Sequence, residues 1–408
     1  MGNNEKFTYE YKGGSQFQLE QGGWYLRNGA FEIKGIETES ERLYLPDTYK
    51  GNTISRWDMN NKERPLSTVK YLYIPASITE IIISNRLFPN LETIEVQSNN
   101  TKFSTDGQML YSADGKELLY SLAAGNKESV VVPKTVKKIA DRAFQWSPCT
   151  EITFENSDVS VESNTFEASG WLEKQGDSCI VGNMFYRLKR SMDILEVPEN
   201  VKRFHEGAFF YGVPKHLITP IVPSRNNISH LIGKIYDRYG NVCEELTITR
   251  VNTALNFWNL GELSGLQKVH LPQNHKKYSS EDGVIFSKDK KTLVFYPRGR
   301  HDAHYEIPDG TVKIAREAFA EQIYLGEVCM PDTVTMLGMS AFYGCKALRK
   351  VVFSDNIKEI PDSSAYQNGG VCQACKALHE VTLPAKLQYL GSFAFYNSGL
   401  DKVVMECL

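Results

Sequence analysis

One phrase recurs along this chain, and it constrains the fold more than any bulk property. An apolar strand ends in Pro, a Val or Ile stands three residues on, and Ala-Phe follows, often with Cys. It reads Val130-Val131-Val132-Pro133, Val136, Ile139, Ala143-Phe144, Cys149. It returns as Val328-Cys329-Met330-Pro331, Val334, Leu337, Ala341-Phe342, Cys345, and as Val381-Thr382-Leu383-Pro384, Leu387, Leu390, Ala394-Phe395. Identity at a fixed spacing marks a stacked repeat, whose units touch only their neighbours and whose core grows lengthwise. The usual step from 408 residues to two or three domains therefore does not apply.

Aligned on the Pro or its equivalent, the units fall at Pro46, Pro75, Gln97, Pro133, Glu155 and Pro198, then an irregular stretch with Pro223. They resume at Thr249, Pro272, Pro308, Pro331, Ser354, Pro384 and Glu406. Many steps are 22 or 23 residues, inside the span of leucine-rich repeats. The steps from Gln97 to Pro133 and from Pro272 to Pro308 are each 36 residues. Both hold an insertion opening on Asp-Gly, at Asp106-Gly107 and Asp282-Gly283, with apolar runs around a polar turn. That pattern predicts a β-hairpin, with weaker copies at 179–189 and 232–243. Such insertions usually project from one face, often the binding face.

Within a unit, Leu348, Val351 and Phe353 are expected to point inward, leaving Lys350 and Val352 on the outer side of the strand. Pro lacks an N–H and ends the ladder. The Val-x-x-Ile step before Ala-Phe fits one or two helical turns packed on the sheet. The expectation is an α/β leucine-rich-repeat solenoid. It has a curved parallel-type sheet of about fourteen short strands, short helices on the outer layer and β-hairpin insertions. Residues 1–34 would form an N-terminal strand or cap segment, and 35–408 the array, irregular around 213–241.

Composition excludes several functions. A net charge of −3 offers no basic face, so no nucleic-acid partner is expected. No stretch approaches the roughly 18 apolar residues of a membrane span. Met1-Gly2-Asn3-Asn4-Glu5-Lys6 has no apolar signal region, and Lys6 breaks the myristoylation pattern. Candidate chemistry is sparse. His205-Glu206-Gly207 is not the H-E-x-x-H zinc motif. His301-Asp302-Ala303-His304 with Glu306 is the best polar cluster, but its spacing across a loop-to-strand junction favours solvated loop residues over a metal. The two Asp-Gly pairs lack the further acidic ligands of a calcium loop, so they read as turns.

Cys149, Cys345 and Cys375 hold one place in three repeats and read as small buried side chains. Cys372-Gln373-Ala374-Cys375 has C-x-x-C spacing with no second pair; a Cys372–Cys375 disulfide stays open for an extracellular chain. Asn99 and Asn227 open formal glycosylation sequons. No catalytic residue, metal or cofactor is expected, and the chain does not read as an enzyme.

The strand-Pro, the V-x-x-I-x-x-x-A-F segment, the Cys and the Asp-Gly hairpin resemble the BspA-like leucine-rich repeats of bacterial surface proteins. The resemblance covers about residues 35–408. Ala30-Phe31-Glu32-Ile33-Lys34-Gly35-Ile36, with Leu43 to Pro46 after it, looks like the opening unit. Leu87-Phe88, Thr165-Phe166 and Ala365-Tyr366 depart from Ala-Phe, and 252–260 has no such pair. The resemblance implies a secreted or surface protein, its signal removed, that binds host or neighbouring-cell proteins in adhesion without catalysis. A structural spacer is the alternative.

Since the repeated residues are packing, a ligand is expected on the outward strand positions, where the chain varies. The candidates are Tyr71, Tyr73, Thr93, Glu95, Glu151, Thr153, Lys268, His270, Glu327, Lys350 and Glu380. Tyr71 and Tyr73 form the aromatic pair of this row, a residue type favoured at interface hot spots. The last strand, Val403-Val404-Met405-Glu406-Cys407-Leu408, suggests end-to-end homodimerisation or a continuation of the array.

Overall fold

A computed structural model describes residues 6–18, 24–49, 51–58, 65–122, 128–231, 242–362 and 369–405. The chain divides into two compact units, Met1–Asn183 and Met184–Leu408. From Arg42 on, each is a solenoid of short parallel strands stacked one repeat apart; ahead of it in the first unit, Lys6–Gln18 and Trp24–Glu37 pair antiparallel.

The strand ahead of each Pro position is present. In the first unit these are β1 (Arg42–Tyr44), β2 (Tyr71–Ile74), β3 (Thr93–Val96), β4 (Ser129–Val132) and β5 (Glu151–Phe154). In the second they are β6 (Met192–Glu196), β7 (Pro214–Thr219), β8 (Glu245–Ile248) and β9 (Lys268–His270). β10 (His304–Glu306), β11 (Glu327–Cys329), β12 (Lys350–Val352), β13 (Glu380–Leu383) and β14 (Lys402–Met405) complete the series. β7 lies inside the stretch expected to be irregular. It pairs in parallel with β6 and β8, and only 232–241, which carries most of the fourth expected hairpin, lies outside the described residues. The ladders are short: β1-β2-β3, β4-β5, β6-β7-β8-β9, β10-β11-β12 and β13-β14.

Alternation along each strand divides core from surface. In β2, Leu72 and Ile74 are fully buried while Tyr71 and Tyr73 stay half-buried. Leu348, Val351 and Phe353 are buried as expected, and Lys350 and Val352 are exposed. Behind the strands the aromatic rings of the repeated phrase stack. Phe319 and Phe342 lie 5.1 Å apart at 17°, and Phe144 and Phe166 lie 5.4 Å apart at 23°. Both pairs are solvent-free, and each such ring contributes about 1.5–3 kcal/mol by burial. The recurring Cys supports the same column. Cys345 Sγ donates to the Phe319 carbonyl at 3.0 Å and Cys375 Sγ to the Phe342 carbonyl at 2.9 Å.

The outer layer differs from the expected helices. Ala-Phe is preceded by a residue in the left-handed region: Arg142 (φ 62°), Glu317 (57°), Ser340 (57°) and Phe393 (62°). A second follows four residues later: Trp146, Glu321, Gly344 and Asn397. A non-glycine residue there stops a right-handed helix, so the phrase forms a turn. Ahead of it, the Val-x-x-Ile step supplies a two-residue strand, as in Lys138–Ile139, Lys313–Ile314 and Met336–Leu337. Helices among the described residues are Gly170–Lys174, Arg225–Leu231 and Phe257–Glu262. The last falls where the Ala-Phe pair is missing. None is long and apolar enough to cross a membrane.

The hairpins do not project. Met109–Ser112 pairs with Glu117–Ser121, whose outer edge continues in parallel to Lys138–Ile139 and then Ser160–Val161. Val284–Ser287 and Thr292–Phe295 repeat that arrangement ahead of Lys313–Ile314 and Met336–Leu337. Each hairpin thus starts a second column of strands. Met109, Leu110, Tyr111, Val284, Ile285 and Phe286 are all buried, which removes the hairpins from the expected binding face. Strands also stand at Ser178–Val181 and Met184–Leu188, within the third expected hairpin. Asn227 is fully buried and donates to the His205 carbonyl at 2.6 Å, so its sequon presents no exposed amide.

Candidate functional site

The parallel register decides which outward side chains meet. On the first unit it aligns Arg42, Tyr71 and Thr93 in one row and Tyr44, Tyr73 and Glu95 in the next. The Tyr44 ring centroid lies 5.8 Å from that of Tyr71 and 5.7 Å from that of Tyr73. The Arg42 guanidinium sits 5.2 Å over the Tyr71 ring, a cation–π arrangement. The Tyr71 hydroxyl donates to the Glu95 carboxylate. Partial burial, with the Glu95 carboxylate beside it, pushes the Tyr71 hydroxyl up to about 12, so it remains a donor at neutral pH. Tyr44 is 41% exposed. Four of the expected residues thus converge, and the structure adds Arg42 and Tyr44. Their signal was available: Leu43 points inward, so both neighbours must face out.

The other expected residues stand on later strands. Glu151 and Thr153 line an open cleft of about 440 Å³ with Trp171 and Gln175, and Lys174 Nζ lies 2.9 Å from Glu151. His270 Nε2 stands 3.2 Å from Glu245, and His216 Nδ1 3.9 Å from the same carboxylate. Lys268 pairs with Asp282 at 3.7 Å. Lys402 meets Glu380 at 2.9 Å. All eleven candidates sit at half-buried or exposed strand positions.

The polar cluster around His301 is divided by the fold. His301 packs edge-on against Tyr324 at 4.3 Å. Asp302 is not a solvated loop residue: it accepts from the Tyr296 hydroxyl at 2.5 Å and from Arg300 Nε at 2.6 Å. Arg300, 8% exposed in its side chain, also reaches Asp282 at 2.8 Å. The Asp282-Gly283 turn is therefore held by a guanidinium. His304 instead faces β11. Its Nδ1 lies 3.6 Å from Glu327, its Nε2 3.4 Å from Glu306, and the Cys329 thiol 3.8 Å from Glu327. Lys350 Nζ pairs with Glu327 at 2.5 Å and, with that hydrogen bond leading, holds the Glu327 carboxyl below its ordinary range. Burial, reinforced by Glu327, pushes the Cys329 thiol up.

Cys372 and Cys375 are both buried and stand as free thiols in this structure. On the last strand, Val403 and Met405 are exposed, and no strand among the described residues pairs with the far edge of β14. Glu406, Cys407 and Leu408 lie outside the described residues.

A second cleft, of about 370 Å³, opens on the turn side of the second unit. It is lined by Trp258, Glu262, Arg298, Arg316, Glu321 and Tyr343. Its residues come from the helix Phe257–Glu262 and from the left-handed turns, which strand periodicity does not describe.

Six copies of the family described as the BspA type leucine rich repeat region match residues 120–229 and 302–407, more than half of the chain. No curated protein matches. Among solved structures, the chain is similar to the pneumococcal vaccine antigen PcpA at 16% identity, covering 97% of this chain and 82% of that one with a TM-score of 0.35. It is also similar to a leucine rich cell surface protein of Faecalibacterium prausnitzii, at 19% identity, 96% and 93% coverage and a TM-score of 0.37. A leucine-rich repeat protein of Bacteroides capillosus matches at 25% identity over 32% of this chain and 100% of its own, with a TM-score of 0.27.

Proposed function

The chain belongs to the BspA-type leucine-rich repeat family, and from that premise we propose that it is a non-enzymatic module that binds a protein partner outside the cell, in adhesion. The observation that carries this reading is the sheet-face patch of Arg42, Tyr44, Tyr71, Tyr73 and Glu95. Its rings are anchored by neighbours rather than free to rotate, so little side-chain entropy is lost when a partner covers them. Three tyrosines and an arginine are the residue types that dominate protein interfaces. The remaining outward candidates, Glu151, Thr153, Lys268, His270, Glu327, Lys350 and Glu380, would each offer polar contacts on their own strands. Their ion pairs are exposed and worth little individually.

The test is a panel of host and bacterial surface proteins against the full chain. Y44A/Y71A/Y73A should weaken the best interaction by about 10²–10⁴-fold, at about 1–2 kcal/mol per anchor, while Asp309→Asn, at an exposed position outside the candidate row, leaves it unchanged. If no panel member binds the intact chain, adhesion loses its support and a spacer role gains it. Surface location is checked by labelling intact cells of the source bacterium. End-to-end pairing along the free edge of β14 belongs to the same reading; a monomer at all concentrations in sedimentation would exclude it.

A further inference from the structure

The recurring cysteines of this chain are core side chains, but Cys329 is not one of them. It lies on an outward strand position, and among the described cysteines it is the one that is not buried. Parallel pairing of β10 with β11 sets His304 beside Glu327 and Glu306 beside Cys329. The result is a sulfur, an imidazole nitrogen and a carboxylate oxygen whose ligand atoms all lie within 4.8 Å of one another. No ion pair of a solvated sheet face requires a thiol at that place.

We propose that His304, Glu327 and Cys329 form a binding site for a thiophilic divalent transition metal such as Zn²⁺, with Glu306 orienting the histidine. The distances suit tetrahedral coordination. With Zn–N and Zn–O near 2.0 Å and Zn–S near 2.3 Å, the tetrahedral edges are about 3.3 Å for N···O and about 3.5 Å for S···O. The structure has 3.6 Å from His304 Nδ1 to Glu327 Oε2 and 3.8 Å from Cys329 Sγ to Glu327 Oε1, with the ligand atoms all within 4.8 Å of one another. The site closes when these side chains draw together by up to about 1 Å and Lys350 Nζ, paired with Glu327 Oε1 at 2.5 Å, yields that oxygen to the metal. Glu306 stands 3.4 Å from His304 Nε2, where it accepts the remaining ring proton and fixes Nδ1 as the ligand atom. This is the usual outer partner of a metal-bound histidine. A mixed S, N and O set favours zinc-like metals over calcium or magnesium, which take oxygen ligands. Three protein ligands leave a fourth position open on the sheet face, for water or a side chain of a bound partner. Binding replaces the Cys329 S–H bond with a metal–sulfur bond and releases that proton to solvent, so affinity rises with pH.

The experiment uses the full chain and Co²⁺ as a spectroscopic stand-in for zinc. Expected are one equivalent of Co²⁺ bound, a near-ultraviolet thiolate-to-cobalt charge-transfer band, and loss of that band when Zn²⁺ is added. Cys329→Ser should abolish the band, and His304→Ala should weaken binding at least about tenfold. Glu306→Gln should weaken it by about 10–100-fold, whereas His270→Ala, elsewhere on the sheet face, should change nothing. His304, Glu306 and Cys329 all face solvent to some degree, and unchanged thermal unfolding of the variants confirms intact folds. Absence of stoichiometric binding at micromolar metal overturns the proposal. So does a charge-transfer band that survives Cys329→Ser.

Discussion

Replacing Arg300 with Met tests whether the second hairpin is fastened by a guanidinium. Arg300 lies nearly buried between Asp282 of the hairpin turn and Asp302 ahead of β10, at 2.8 and 2.6 Å. It also donates to the Asp282 carbonyl and stacks 5.2 Å over the Tyr296 ring. Methionine keeps much of the volume and the stacking but removes both ion pairs. Taking one partner from a buried pair costs about 3–5 kcal/mol, because the charge left behind is uncompensated. Asp282 is exposed enough to rehydrate, so the expected loss falls just below that range, at about 2–3 kcal/mol. Both carboxyls are held below their ordinary range. For Asp282 the Arg300 hydrogen bond is the leading cause; for Asp302, Tyr296 and Arg300 outweigh a burial effect in the opposite direction.

A depressed carboxyl pKa contributes stability that is complete above the unfolded value, near 4, and is lost as pH falls through the folded value. The wild type should therefore lose this contribution on acidification while Arg300→Met has little left to lose. Urea unfolding followed by circular dichroism at about pH 7 and about pH 3 measures the gap between the two proteins. A gap that stays constant over this range, or one below about 1 kcal/mol at neutral pH, would refute the clamp.

Phe342→Ala should cost about 3–5 kcal/mol in urea unfolding, since the ring is fully buried against Phe319. Val352→Ala, on the outward side of the same repeat, should cost less than about 1 kcal/mol. Native alkylation with peptide mapping should modify Cys329 well before Cys149, Cys345 or Cys372, because those three are buried. Burial also pushes the Cys345 thiol up and keeps it protonated.

The strands were readable because their rule is local. Leu348, Val351 and Phe353 stand at inward positions of one strand, and the same spacing assigned the row from Tyr71 to Glu380. The helix expected around Ala-Phe was misread for an equally local reason. Val-x-x-Ile-x-x-x-Ala-Phe satisfies a helical apolar stripe, yet the left-handed residues that break it are Arg142, Glu317, Ser340 and Phe393. None is a glycine that would mark such a site, so composition carried no warning. The hairpins were recognised from Asp-Gly and flanking apolar runs, but their burial was not, because Leu110 and Phe286 become core only when the next repeat closes over them.

Strand identity, the inward row and the family all follow from residues within one repeat, where spacing along the chain equals spacing in the structure. The meeting of Tyr44 with Tyr71 and Tyr73, of Arg300 with Asp282, and of His304 with Glu327 and Cys329 does not. These partners stand up to about thirty residues apart in the chain, and the register of stacked parallel strands and turns brings them within a few ångströms. That register is set by core packing over whole repeats. The packing residues are therefore legible one repeat at a time, while the surface chemistry exists only after the repeats stack.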